Sequence, residues 1–123
     1  FLSYFDNNNL KVQGSYLNGL KNGPWHTYYK NGQLLERCNW MNGQLFGEFF
    51  SYHQNSQLWE SCNFIDNKLE GELLKYRENG QLLRRHNYKD GNLDGDWFVY
   101  LDNGKLLQKR IYKLGKLIKT IRH

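Results

Sequence analysis

Three residues at one repeat position have the chemistry to bind a metal: Cys38, Cys62 and His86 follow one another at intervals of 24 residues. Thiolates and imidazoles are ligands of structural zinc, which takes four donors at ~2.0–2.3 Å from one ion. Glu36 and Glu60 form a second set, two positions before the cysteines and at the same interval. Two carboxylates about 6.5–9.5 Å apart can act as acid and base in inverting glycoside cleavage. His26, His53 and His123 fall at other repeat positions. There is no G-x-S-x-G, P-loop or H-E-x-x-H spacing, so the common nucleophile, phosphate and zincin signatures are absent.

Whether either set acts depends on the elements that carry it, and these repeat. Gly23 to Phe46 reads GPWHTYYKNGQLLERCNWMNGQLF, and the pattern returns at residues 47–70, 71–94 and 95–118 without insertion. Residues 1–22 are a partial copy and 119–123 a terminal cap strand. A fixed period of 20–50 residues marks a repeat architecture in which each unit buries its apolar face only against its neighbours. Each copy holds two short β-rich segments, Trp25–Tyr29 and Gln33–Trp40, separated by Asn-Gly turns. The expected fold is all-β: one domain, an elongated antiparallel meander of stacked hairpins about 45–50 Å across ten strands.

Equivalent positions in adjacent copies then lie two strands apart, roughly 10 Å at ~4.8 Å per strand. That is too far for one zinc ion, and beyond the ~7 Å Cα limit of a disulfide. The glutamate position is filled by Arg84 and Gln108 in later copies, so it accepts any polar group. The chain is therefore read as a non-enzyme with no metal, cofactor or small-molecule substrate. Two free thiols point to a reducing, intracellular compartment.

Reading Asn31-Gly32 as a two-residue type I′ turn sets the register. Tyr29 then faces Leu34, Tyr28 faces Leu35, and Trp25 faces Cys38. One face carries the Trp25, Leu34 and Trp40 positions as core. The other carries Tyr28, Tyr52, Tyr76 and Tyr100 with the Leu35 position, which is Trp59 in the second copy. Either this stripe is exposed, or a bulge in the first strand turns the tyrosines inward. Exposed, Tyr28, Tyr52, Trp59, Tyr76 and Tyr100 are candidate partner-binding residues, because Tyr, Trp and Arg make interface anchors.

Aromatic residues reach 16% and mean hydropathy is −0.84, yet the apolar positions stay in register, so the chain is ordered. No apolar run approaches the ~20 residues of a membrane-spanning helix. The sequence opens on Phe1 inside a repeat, which suggests a fragment or processed piece of a longer chain. The net charge of +5 is concentrated from Lys105 onward, where there are seven basic residues and no acid. Lys109, Arg110, Lys113, Lys116, Lys119 and Arg122 are candidate anion-binding residues for phospholipid headgroups or nucleic acid. The same lysines also suit an edge strand guarded against pairing. Ile121 is expected at the Trp position of a final half-repeat, and the open sheet edges offer a route to oligomers.

The pattern G-x-W-x-x-Y-Y-x-N-G-Q-L, an aromatic, then N-G-x-L-x-G resembles the MORN repeat in its variant form, from Tyr4 to about Ile121. That form occurs in YwqK-family antitoxins of bacteria and in repeat proteins of giant DNA viruses. The resemblance implies a twisted sheet of hairpins without catalytic machinery, acting as an interaction module, an antitoxin against a partner toxin or a membrane-proximal scaffold. The sequence departs from the pattern at Asn55-Ser56, Asn67 and Lys119.

Overall fold

The computed structural model describes every residue from Phe1 to His123 and contains strands and turns only. The strands are β1 (Leu2–Tyr4), β2 (Leu10–Gln13), β3 (Tyr16–Leu17), β4 (Leu20–Lys21), β5 (Gly23–Tyr28) and β6 (Leu34–Met41). Next come β7 (Gln44–Leu45), β8 (Gly47–Tyr52), β9 (Leu58–Ile65), β10 (Lys68–Leu69) and β11 (Gly71–Tyr76). The last five are β12 (Leu82–Lys89), β13 (Asn92–Leu93), β14 (Gly95–Tyr100), β15 (Leu106–Lys113) and β16 (Lys116–Arg122). One antiparallel sheet runs β1-β2-β5-β6-β8-β9-β11-β12-β14-β15-β16, with β7, β10 and β13 as short flaps on β6, β9 and β12. The fold is thus the all-β meander of hairpins that the period predicts.

The two turns of a repeat use the same dipeptide in two ways. At Asn42-Gly43 both residues have positive φ (49° and 80°), the type I′ geometry, and so do Asp66-Asn67 and Asp90-Gly91. At Asn31-Gly32 only Gly32 does (φ 92°). There Tyr29 N–H donates to Gln33 O at 2.8 Å and Gly32 N–H to Tyr29 O at 2.9 Å, which closes a three-residue loop. Asn31 serves through its side chain, whose Oδ1 accepts the Gln33 N–H at 2.9 Å; Asn7, Asn55, Asn79 and Asn103 do the same.

The extra loop residue overturns part of the predicted register. Trp25 pairs with Cys38 and Thr27 with Glu36 as expected, but Tyr28 then pairs with Leu34, leaving Leu35 as the extra residue of a bulge. The bulge lies on the second strand, not the first, and recurs at Ser51/Tyr52, Lys75/Tyr76 and Val99/Tyr100. It places the Leu34 position opposite the tyrosines. The leucines at that position are therefore not part of the Trp25 face.

A second correction concerns the C-terminal end. Gly47, Gly71 and Gly95 all take positive φ (76°, 83°, 93°), ending each flap and redirecting the chain into the next long strand. Lys119 stands at that position in the last copy, and β16 runs unbroken from Lys116 to Arg122. Without the left-handed step the register moves by one, so Ile121 pairs with Lys109 rather than entering the Trp position.

Seven of 123 residues are buried, and the six with side chains are Trp25, Cys38, Cys62, Leu73, His86 and Gln108. All six lie on one face, because Trp25 pairs with Cys38, Leu73 with His86, and Gln108 is two residues before Arg110, the partner of Trp97. The core is side chains packed flat against their own sheet. The short hairpins hydrogen-bond to one another from copy to copy (Gly43 N–H to Lys21 O, Asn67 N–H to Leu45 O, Gly91 N–H to Leu69 O), and the β3–β4 hairpin brings Tyr16 and Lys21 onto the Trp25 ring.

Candidate functional site

The face of the tyrosines is built from β-alternation: His26 and Tyr28 on β5, Phe50 and Tyr52 on β8, Leu74 and Tyr76 on β11, Phe98 and Tyr100 on β14. Arg37 pairs with both His26 and Phe50 and so stands between copies. Its guanidinium lies 4.4 Å from the Phe50 ring, and its Nε donates to Tyr52 Oη at 3.2 Å. Arg85 repeats the ring contact, 4.5 Å above Phe98, which stacks on Tyr100 at 6.4 Å, but its Nε has no hydrogen-bond partner. A guanidinium held over a ring in this way is attracted by the ring quadrupole and keeps hydrogen-bond donors free for a partner. Acids line the same face, with Glu72 at 3.9 Å from Arg85 and Asp96 at 3.8 Å from Lys109.

Tyr28, Tyr52, Tyr76 and Tyr100 are half-buried on this face, while Trp59 is not among them. The bulge sends Trp59 to the opposite face, where it stacks on His53 at 4.9 Å and lies 6.0 Å from Lys75 Nζ. The candidate stripe is thus four residues, not five. The sequence reading named neither Phe50 nor Phe98, which stand two copies apart at one repeat position and carry Arg37 and Arg85. Shallow depressions of ≈ 310 and ≈ 330 Å³ recur along this face, one lined by His26, Arg37, Asn39, Glu48 and Phe50, the next by Phe50, Ser61, Asn63, Glu72 and Leu74.

The opposite face carries Trp25, Phe49, Leu73 and Trp97, with Arg110 4.5 Å above Trp97. Across it runs one row of paired positions: Thr27, Glu36, Ser51, Glu60, Lys75, Arg84, Val99, Gln108 and Arg122. Burial raises the Glu36 carboxyl above its ordinary value, Lys21 opposes that and Glu60 adds to it. Glu36 and Glu60 are half-buried and separated by the Ser51 strand, with no enclosing pocket between them. Burial and Glu60 push the Cys62 thiol up to about 12, and burial and Glu36 raise Cys38. Both thiols are free and, at neutral pH, protonated and poor nucleophiles. His86 is lowered to about 4 by burial first, then by Arg84 and Lys75. No group of three His, Cys, Asp or Glu is close enough to hold a metal ion.

The C-terminal cations are not gathered into one patch. Lys109 is tied to Asp96 on the tyrosine face, and Lys119 and Ile121 share that face; Arg110 and Arg122 lie on the other. Lys113 and Lys116 face each other across the Leu114-Gly115 turn.

Neighbouring copies are stitched by unlike residues. Tyr29 Oη donates to Tyr52 O at 2.6 Å, His53 Nε2 contacts Tyr76 O at 2.9 Å, and Arg77 donates to Tyr100 O at 3.1 Å. Asp94 Oδ1 accepts the Leu114 N–H at 3.1 Å, and Asn22 Oδ1 accepts the Asn42 N–H at 3.4 Å.

Repetition, a half-exposed tyrosine face and two open sheet edges define an elongated repeat protein with surface to offer. The family model described as the MORN repeat variant matches residues 1–18, 21–45, 47–66, 69–90 and 93–114, and the chain belongs to that family. MORN repeats commonly take part in protein or membrane-lipid interactions and are generally non-catalytic. No curated protein matches the sequence.

Proposed function

We propose that this chain is a non-catalytic interaction module that binds another protein through the tyrosine face. The arginine held over a phenylalanine ring, at Arg37 over Phe50 with the Tyr52 hydroxyl beside it and again at Arg85 over Phe98, is the observation that carries it. Arg, Tyr and aromatic anchors with little conformational freedom supply most of the energy of protein interfaces. The repeat sets them in register, so an extended partner can touch several copies at once. An antitoxin-like role would be the case in which that partner is a toxic enzyme; a scaffold uses the same surface.

Affinity capture with the 123-residue chain, compared with Arg37→Gln/Tyr52→Ser and Arg85→Gln/Tyr100→Ser variants, tests it. A partner retained by the parent and lost by folded variants is expected. Equal capture by all three places the contact elsewhere. Peripheral binding to anionic phospholipid or nucleic acid by the C-terminal cations has less support, since those cations point in several directions. Vesicles containing phosphatidylserine at ~50 mM salt, where counterion release favours binding most, decide that alternative.

A further inference from the structure

One row of the tyrosine face is a continuous stripe. Each tyrosine pairs with a leucine, as Tyr52 does with Leu58 and Tyr76 with Leu82, so the two alternate strand by strand. Both kinds are half-buried in every copy. At ~4.8 Å per strand the tyrosines recur every ~9.6 Å. Hydrogen bonds between copies keep both margins of the sheet from fanning apart. Asn55 Nδ2 donates to Glu78 O at 2.8 Å at the loops, and Gly43 N–H to Lys21 O at 2.9 Å at the flaps.

What can lie on this stripe follows from backbone chemistry. The interior of a sheet face has no free backbone N–H or C=O, so a partner cannot join it as another strand. Only side chains remain to meet it. The tyrosine hydroxyls engaged within the chain are those of Tyr29, Tyr52 and Tyr112. Those of Tyr28, Tyr76 and Tyr100 are free, and Tyr52 Oη accepts from Arg37 and keeps its own proton to donate. Polyproline II has no internal hydrogen bonds and leaves its carbonyls open to such donors. Its three-residue turn rises ~9.3 Å, within ~0.3 Å of the tyrosine interval, and sets every third residue on one side. A helical heptad rises ~10.5 Å and drifts by ~2.7 Å over the three intervals from Tyr28 to Tyr100. In a β-strand, residues three apart point to opposite sides.

Charge selects among such segments. The row next to the stripe, ~7 Å along the strands, carries Arg37, Arg85 and Lys109 and no acid. Glu48, Glu72 and Asp96 stand two residues further, ~13 Å from the stripe and beyond the ~8 Å Debye length of physiological salt. Glu72 and Asp96 approach Arg85 and Lys109 only to 3.9 and 3.8 Å, and Arg37 has no acid partner. We infer that the tyrosine face takes an acidic, proline-rich segment in the polyproline II conformation, lying across the strands with one carboxylate per turn toward the cations. Its prolines pack on the tyrosine and leucine side chains, and the hydroxyls donate to its carbonyls. This deepens the proposed function, on which it rests, by giving the partner a chemistry.

Fluorescence anisotropy with labelled peptides and the 123-residue chain tests it. The probe is four Pro-Pro-Glu units, ~37 Å long as polyproline II and so able to span all four tyrosines. Four Gly-Gly-Glu units keep charge and spacing without the stiff backbone. Eight prolines followed by four glutamates keep charge and stiffness without the period. The probe is expected to bind at ~10–100 µM, about tenfold or more tighter than either control. Tyr52→Phe/Tyr76→Phe, which keeps the rings, should weaken it about tenfold. Arg37→Gln/Arg85→Gln should weaken it several-fold and flatten its salt dependence, whereas Glu48→Gln should not weaken it. Equal binding of the probe and either control overturns the inference. So does an unchanged dissociation constant in Tyr52→Phe/Tyr76→Phe, or no binding of the probe at ~1 mM. If the probe fails while Arg37→Gln/Tyr52→Ser still loses a captured partner, this inference falls and the proposed function stands. If capture is unaffected as well, both fall.

Discussion

On the tyrosine face Arg85 has Glu72 at 3.9 Å, Lys109 has Asp96 at 3.8 Å, and Arg37 has the Phe50 ring and the Tyr52 hydroxyl, although Arg85 Nε itself has no hydrogen-bond partner. On the Trp25 face Glu36, Glu60, Lys75 and Arg84 have no ion pair, yet the most buried side chains of the protein are there. The two faces share one backbone and one period, so the difference comes from side chains alone. It teaches that a single-layer sheet has two kinds of surface. One is finished and presents its groups to solvent. The other holds the stabilising apolar area but leaves its charges without partners.

The largest expected effect follows from where the burial lies. Trp25 is 6% exposed, stacks on Phe1 at 5.7 Å, meets Tyr16 edge-on and donates from Nε1 to Ser15 O at 3.2 Å. Trp25→Ala should cost about 3–5 kcal/mol in urea unfolding, the usual range for a buried aromatic. Phe50→Ala, on the half-buried face, should cost about 1–2 kcal/mol, part of it the lost cation contact. Equal costs would erase the contrast between the faces.

The second effect belongs to the Trp25 face alone. His86 titrates near 4 when folded, below the ~6.5 of an unfolded chain. Between those values the unfolded state binds more protons, so stability is complete above pH ~6.5 and declines as pH falls toward ~4. The loss is on the order of 2 kcal/mol. His86→Cys, the residue of the two preceding copies, should flatten the stability profile over that window. A profile as steep as the parent's would assign the pH dependence to other groups.

The sequence made the period, the hairpins and the Trp25–Cys38 pairing legible, because each rests on a residue type recurring at a fixed interval. It misled wherever one motif has two geometries. Asn31-Gly32 and Asn42-Gly43 are the same dipeptide, but the first uses the asparagine side chain and the second its backbone. That choice inserts the Leu35 bulge and decides which face Trp59 occupies. Lys119 in place of glycine was visible too, and its consequence for Ile121 follows from backbone sterics once the left-handed step at Gly47, Gly71 and Gly95 is known. The row of charges across the Trp25 face was hidden for a different reason. Its members come from nine strands, and only the observed register lines them up.

The smallest effect tests how independent the finished face is. Arg37 is exposed, so its contacts with Phe50 and Tyr52 stand in high dielectric, where a cation–ring contact contributes ~0.5–1 kcal/mol at most. Arg37→Gln alone should change unfolding free energy by about 0.5 kcal/mol or less. A double-mutant cycle of Arg37→Gln with Phe50→Leu should return a coupling of about 0.5 kcal/mol, because the two side chains touch. The cycle of Arg37→Gln with Trp25→Phe should return a value near zero, since the backbone separates the faces. A coupling across the sheet as large as that within the tyrosine face would mean that the two surfaces are mechanically one. In that case a partner bound to the tyrosines would also alter the packing of Trp25.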